Sequence, residues 1–223
     1  MCFSHEADLA VGTIAIAVGV DALRHVRASK QIPLASIPVL LGLHELTEAF
    51  VWWGLQGHIA HSIERIALWI YLLFALVALP GILTVAVGLV EPSPGRRKVI
   101  GAFAAVAIAV STVIGFAMFR GSVRSTIQGH HIGYDIGVLR DGGRLTALYV
   151  IATCGALLAS SYRDLEILGA LNFVAVPVLA WLTLSGFISL WCFWAAIVSV
   201  GIALHLRRVT NDPGQPVEVA VHS

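Results

Sequence analysis

Long apolar runs separated by short polar loops fill almost the whole chain, and this pattern restricts its fold more than any other feature. A helix that crosses the roughly 30 Å hydrocarbon core of a bilayer needs about 20 largely apolar residues, and about seven runs approach that length. Only 12% of the residues are charged and the mean hydropathy is +0.87, whereas a soluble domain carries about twice that charged fraction. The sequence therefore predicts an all-α, polytopic membrane bundle.

We predict one transmembrane domain over residues 1–208 and a disordered polar tail over 209–223. Its seven helices are expected at residues 7–22, 34–57, 66–89, 99–119, 145–160, 165–182 and 187–205. Pro80 should kink the third helix, because proline removes a backbone hydrogen bond inside a helix. The fifth and sixth helices are short, and charged side chains crowd the turn that joins them.

The Lys and Arg residues near the helix ends favour one orientation, because cytoplasmic loops of membrane proteins carry the excess of these residues. With seven helices, nine of these residues lie on the same side of the membrane as the carboxyl terminus, and five lie on the same side as the amino terminus. The nine are Arg24, Arg27, Lys30, Arg96, Arg97, Lys98, Arg163, Arg207 and Arg208, and the five are Arg65, Arg120, Arg124, Arg140 and Arg144. We therefore predict an amino terminus outside and a tail in the cytoplasm.

The loop at residues 120–144 is the one long connection between predicted helices. Polar and β-branched residues alternate along it, and Asp141-Gly142-Gly143 is a turn signal. Long ordered loops often serve as lids or binding loops. We expect a short β-hairpin here, lying over the outer mouth of the bundle.

The second predicted helix carries the sharpest chemical feature, His44 and Glu48, which are four residues apart and therefore share one helix face. His44 lies roughly 16 Å along the helix from Pro33, near the middle of the membrane. Ionisable groups at that depth are costly and are functional-site candidates. Glu45 points about a quarter turn away and is expected to face a different neighbour.

An imidazole and a carboxylate on adjacent turns suit several tasks. They can be two ligands of a transition metal such as zinc, copper or iron, a proton relay, or an acid–base pair around a water molecule. A purely structural hydrogen bond from this helix to Asn172 or Thr112 is the competing interpretation.

Further residues of metal-ligand type lie at the predicted outer side. His58 follows the second helix, His130 and His131 lie in the long loop, and Cys2 stands near the amino terminus. Imidazole nitrogen and cysteine thiolate are common metal ligands. We therefore add Cys2, His130 and His131 to His44 and Glu48 as candidate metal ligands, and we assign Glu45, His58 and Asn172 to a wider polar site.

Composition excludes several classes of protein. The net charge is only +1 and the chain has no basic tract, which argues against a nucleic-acid partner. The three cysteines are far apart, so they form neither a disulfide framework nor a CxxC motif. Both lysines lie at predicted cytoplasmic helix ends, which excludes a retinal Schiff base in the bundle core.

The chain resembles an uncharacterised family of bacterial multi-pass membrane proteins. The resemblance is carried by the opening Met1-Cys2-Phe3-Ser4 and by the motif Gly-Leu-His-x-Leu-x-Glu-Ala-Phe-Val-Trp, which runs here from Gly42 to Trp52. It implies a location in a bacterial plasma (inner) membrane and carries no activity with it.

Three functions therefore stay open. The first is a membrane protein with a metal-binding polar site in the outer half of the bundle. The second is a proton- or ion-coupled transporter or channel in which Glu45 and Glu48 titrate. The third is a structural or assembly subunit of a membrane complex, or a homo-oligomer, in which the second helix meets a partner. The lipid bilayer is a partner in all three.

Overall fold

In the computed structural model, the described residues are 4–137, 143–182 and 186–211. They form seven helical segments and one two-stranded sheet, so the predicted helical fold is confirmed. The helices are α1 His5–Arg24, α2 Ile32–Leu55, α3 His61–Val90, α4 Pro94–Arg120, α5 Gly143–Leu158, α6 Arg163–Leu182, and α7, whose two parts are Phe187–Val198 and Val200–Asn211. The strands are β1 Val123–Gln128 and β2 His131–Ile136.

Five of these helices, α2, α3, α4, α6 and α7, are long and apolar enough to cross a membrane. Helix α5 is apolar but shorter, and α1 does not meet the same criterion of length and composition. The five helices fit an integral membrane protein, while the count of seven spans and their orientation stay predictions. Helix α7 continues to Asn211, so the predicted tail begins inside a helix, and residues 212–223 lie outside the described part.

Helix α3 departs from regular α-helical geometry beside its proline. Residues Phe74–Ala78 form a π-helical turn just before Pro80. Such a turn lengthens the hydrogen-bonded ring locally and absorbs the backbone bond that a proline removes. The sequence predicted a disturbance at Pro80, and its form is this wider turn.

Helices α1 and α2 approach each other closely because glycines face each other across their contact. A Cβ atom built on Gly12 would lie 2.8 Å from the carbonyl oxygen of Gly42, and one built on Gly42 would lie 2.6 Å from that of Gly12. Neither position tolerates a side chain without movement of the backbone. Small residues of this kind let membrane helices pack with their backbones in near contact.

The predicted β-hairpin is present, with β1 and β2 antiparallel and Val123 opposite Ile136. Its turn is at Gly129 and His130, where Gly129 has a φ of +62°, a left-handed conformation that glycine adopts without strain. The turn signal at residues 141–143 is therefore not the hairpin turn, and residues 141 and 142 lie outside the described part of the chain.

The hairpin is fastened to the start of α3 by polar contacts. Arg65 donates to the carbonyl oxygen of Val123 at 3.0 Å, and the Ser125 hydroxyl donates to Glu64 at 3.0 Å. We call this side of the molecule the hairpin end, where α1 begins, α2 ends and α3 begins. The hairpin thus covers the part of the bundle that holds the polar residues of α2.

At the opposite end, Glu91 ties the α3–α4 turn to the α5–α6 turn. Its buried carboxylate accepts hydrogen bonds from the backbone N–H groups of Ser93 and Ser161 and from the hydroxyl groups of Ser160 and Ser161. Arg96 adds a bond to the Ser160 carbonyl oxygen at 2.7 Å. Both oxygens of this carboxylate accept hydrogen bonds, so Glu91 has a structural role.

Candidate functional site

Three acidic side chains meet inside the bundle near the hairpin end. One ligand oxygen from each of Asp8, Glu45 and Glu48 lies within 4.8 Å of the other two. The side chains are almost fully inaccessible, with 3% of Asp8 and none of Glu45 or Glu48 exposed. A buried carboxylate is costly unless it is paired or binds a cation, so this cluster is the strongest candidate for a functional site in the described residues.

The glycine contact between α1 and α2 explains why these residues meet. Asp8 precedes Gly12 by one helical turn, and Glu45 follows Gly42 by about one turn, so each lies on the same face as its glycine. The two helices are antiparallel. One turn before Gly12 on α1 and one turn after Gly42 on α2 therefore lie at the same height in the bundle, and this brings Asp8 close to Glu45. Glu48 continues this face of α2 by three residues.

Glu48 accepts hydrogen bonds from two tyrosines on different elements. The Tyr71 hydroxyl of α3 donates to one carboxylate oxygen at 3.1 Å, and the Tyr134 hydroxyl of β2 donates to the other at 2.9 Å. The Ser189 side chain of α7 lies beside the same carboxyl. The hairpin therefore contributes directly to the site through Tyr134.

Glu45 and Asp8 are different, because both oxygens of Glu45 and one oxygen of Asp8 have no donor among the described residues, while the Trp52 side chain is hydrogen-bonded to Asp8. The unpaired oxygen of Asp8 is Oδ2. None of the ion pairs within the described ranges involves Asp8, Glu45 or Glu48. These oxygens are therefore available to a proton or to a bound cation.

His44 lies beside this cluster but is not one of the three residues that share it. Its ring stacks flat on Tyr71, with centroids 4.0 Å apart and an angle of 10° between the planes. It also contacts Phe74 at a centroid distance of 4.9 Å. Its Nε2 is buried and has no hydrogen-bond partner among the described residues. Metal binding by His44 therefore stays a prediction, since the structure places His44 next to the three carboxylates rather than among them.

The other residues named from the sequence lie elsewhere. His58 is exposed after α2, and His130 and His131 lie at the far turn of the hairpin, with His130 exposed. The Asn172 amide donates to the Leu168 carbonyl oxygen within its own helix, at 2.8 Å. Thr112 likewise bonds the backbone of its own helix, so neither residue is the hydrogen-bond partner considered for α2. Cys2 lies outside the described residues.

The sequence analysis assigned none of Asp8, Tyr71 and Tyr134 to the site, although Asp8 lies at the predicted outer side. A signal for Asp8 exists, because Gly12 and Gly19 lie on one face of α1 and Asp8 continues that face. Gly19 also packs tightly, since a Cβ atom there would lie 2.5 Å from the Val39 backbone nitrogen. The tyrosines carry no comparable local signal, since Tyr134 meets Glu48 across 86 positions of sequence.

The arrangement can hold one positive ion or share protons. Three negative charges this close repel one another in a medium of low dielectric constant, so protons or a cation must balance them. Two ligands of one ion lie no farther apart than twice the metal–oxygen bond, which is about 4.6–5.2 Å for Ca²⁺. Separations within 4.8 Å are therefore compatible with a single ion of that size.

No curated protein and no solved structure shows significant similarity to the chain. One family model matches residues 1–216, which is nearly the full length and includes every residue of the carboxylate cluster. The chain therefore belongs to the family of unknown function DUF6629.

Proposed function

We propose that the chain is a multi-pass membrane protein that binds a divalent cation at Asp8, Glu45 and Glu48. The observation that supports this most is the pair of Glu45 oxygens, which are fully buried and accept no hydrogen bond from the described residues. A residue that served only to tie helices together would have its oxygens paired, as those of Glu91 are. Unpaired oxygens that converge with two other carboxylates are what a cation site requires.

The ligand chemistry favours a hard cation. Carboxylate oxygens suit Mg²⁺, Ca²⁺ and Mn²⁺, whereas zinc and copper sites use mainly nitrogen and sulfur. Three carboxylates with one divalent ion leave about one negative charge, and the Tyr71 and Tyr134 hydroxyls stabilise it at Glu48. Of the transition metals expected from the sequence, iron fits best if His44 adds a nitrogen.

Proton- or ion-coupled transport through Glu45 and Glu48 is the second candidate. It is favoured by the same unpaired oxygens, because a proton on Glu45 would neutralise the cluster as a cation does. It also needs a path for the ion across the bilayer. We place the hairpin end outside, because Lys and Arg are in excess at the opposite end.

Calorimetric titration of purified, chelator-treated protein with Ca²⁺ and with Mn²⁺ tests the first proposal. We expect about one equivalent to bind. Glu45→Gln and Glu48→Gln should each weaken binding by about 100-fold or more, because even changes around a metal's ligands typically cost 10–100-fold. Glu166→Gln, an exposed residue at the opposite end of the bundle, is the matched control and should bind like the wild type.

Equal binding by Glu45→Gln and by Glu166→Gln would overturn the cation site. The second candidate is distinguished with the same proteins in liposomes. If no divalent ion binds, but pH-dependent ion flux occurs and is lost in Glu48→Gln, the carboxylates act in transport. Circular dichroism of each variant confirms that its helices are retained.

A further inference from the structure

A second feature near the hairpin end is a cavity of about 690 Å³ beside the carboxylate cluster but separate from it. Helices α3, α4, α5, α6 and α7 and strand β2 surround it, and its volume falls in the usual range for small-molecule sites. Residues of its wall include Ile114, Tyr149, Val176, Ala180, Phe187 and Trp191. None of the three clustered carboxylates lines it.

The cavity lies beside a part of α6 in which no residue is fully buried. The buried residues of α6 are Leu165, Leu168 and Gly169, and no residue from Ala170 to Leu182 is buried. Val176 and Ala180 line the cavity from this part of α6, and Val176 also packs, partly buried, against the core. Protein interiors are normally close-packed, so a gap of this size among the described residues leaves room for a ligand.

The side chains that line the cavity favour an apolar ligand. Its aromatic side is formed by Tyr149, Phe187 and Trp191, with Trp191 edge-on to Tyr149 at 5.2 Å and tilted against Phe187 at 5.4 Å. The two phenol groups of the wall are already engaged, since Tyr149 donates to the Ala75 carbonyl oxygen and Tyr134 donates to Glu48. Water in this space would find few partners, whereas a hydrocarbon chain needs none.

The rim of the cavity is polar and lies at the hairpin end. Asp135, Gly143 and Thr146 contribute to the lining and are exposed. An elongated molecule with an apolar body and a polar end matches this division. In a membrane, lipids supply that chemistry at high concentration.

We propose that this cavity binds one acyl chain, with the polar end of the molecule at the rim formed by Asp135 and Thr146. The site is distinct from the cation site, because its wall contains none of the three clustered carboxylates, although Tyr134 borders both. A lipid and a free fatty acid both carry such a chain, so the experiment uses one probe of each kind.

Native mass spectrometry of delipidated protein with added palmitate or dipalmitoyl phosphatidylglycerol tests the inference. The wild type should retain one molecule of at least one probe. Val176→Trp places a much larger side chain in the path of an acyl chain and should lower occupancy by about tenfold, which corresponds to about 1.4 kcal/mol. Val174→Trp is the matched control, because Val174 is on the same helix, is 63% exposed and does not line the cavity.

If only the phospholipid binds, the bound acyl chain belongs to a membrane lipid. If only palmitate binds, it belongs to a free fatty acid. Ala180→Trp is a second variant with a larger side chain in the cavity and should behave like Val176→Trp. Equal retention by all three variants, absence of both probes from the wild type, or a lipid-free dimer that buries this face would overturn the proposal. Glu45→Gln should retain the probe, so loss of the cation site leaves this result unchanged.

Discussion

Glu45 is the residue on which the cation proposal depends most. It lies on α2 between His44, which stacks on Tyr71, and Glu48, which two tyrosines stabilise. Its own oxygens have no donor among the described residues. A buried, unpaired carboxylate reduces the stability of a fold, so its presence is explained by a bound ion or proton rather than by packing.

Replacing Glu45 by glutamine should therefore have opposite effects with and without the cation. In chelator-treated protein, Glu45→Gln removes one repelling charge and should raise the unfolding free energy by about 1–3 kcal/mol. At a Ca²⁺ concentration that just saturates the wild type, the variant should gain much less stability than the wild type, because it binds the ion about 100-fold more weakly. Thermal unfolding followed by circular dichroism measures both conditions.

Glu166→Gln is the control for that comparison and should show the response of the wild type in both conditions. If Glu45→Gln were less stable than the wild type in chelator, Glu45 would be a structural residue with partners, contrary to the proposal. Both variants change one carboxylate to an amide of the same shape, so packing differences are small.

The motif of α2 was readable from sequence because it depends on one helix alone. The spacing of His44 and Glu48 and their depth follow from helix geometry, and the structure does bury both residues. The partners of Glu48 were not readable. Tyr71 and Tyr134 meet it only through the packing of α3 and of the hairpin, and that packing leaves no periodic signal in the sequence.

Among the elements, the contact of α1 with α2 determines whether the cluster forms. The helices were predicted from their apolar runs, but their separation depends on Gly12 and Gly42, whose close approach excludes a Cβ atom on either. A sequence pattern shows which face of a helix is apolar, while the distance between two helices depends on the particular small residues that meet. For this reason Asp8 was not assigned to the site.

Gly42→Ala should separate α1 from α2 and weaken Ca²⁺ binding by at least about tenfold, because a Cβ atom there lies 2.6 Å from the Gly12 carbonyl oxygen. Titration of the purified variant measures this. Gly101→Ala in α4 is the control, since nothing lies within 4 Å of a Cβ atom at that position. That control should bind Ca²⁺ normally and be more stable by about 0.5–1 kcal/mol. Unchanged Ca²⁺ binding by Gly42→Ala would show that the cluster does not depend on this contact.

For the hairpin, the sequence pattern predicted the strands but not the position of the turn. Alternation of polar and β-branched residues predicted two strands, and both are present. The turn lies at Gly129 rather than at the Asp-Gly-Gly segment, because a glycine with positive φ closes the hairpin between the two alternating stretches. The register that results places Tyr134 on the side that faces Glu48.

At the scale of the whole molecule, the two ends of the bundle have different chemistry. Near the opposite end, carboxylates are paired, as Glu91 is by serine donors and Asp164 is by Arg208 and His205. Near the hairpin end, three carboxylates converge beside an apolar cavity, and both oxygens of Glu45 and one of Asp8 have no partner among the described residues. The sequence predicted a membrane bundle with residues of metal-ligand type gathered at its outer side, but which carboxylates have donors and which do not emerges only from the packed fold.

The most direct test of the central proposal is anomalous X-ray diffraction from crystals of the protein grown with Mn²⁺. We predict one strong anomalous peak for a Mn²⁺ ion coordinated by oxygens of Asp8, Glu45 and Glu48, at metal–oxygen distances of roughly 2.0–2.6 Å. That result would place the ion inside the bundle, next to the Tyr134 contact of the hairpin. Well-ordered side chains at the cluster with no peak among them, or a peak only at surface histidines such as His58 or His130, would contradict the proposal.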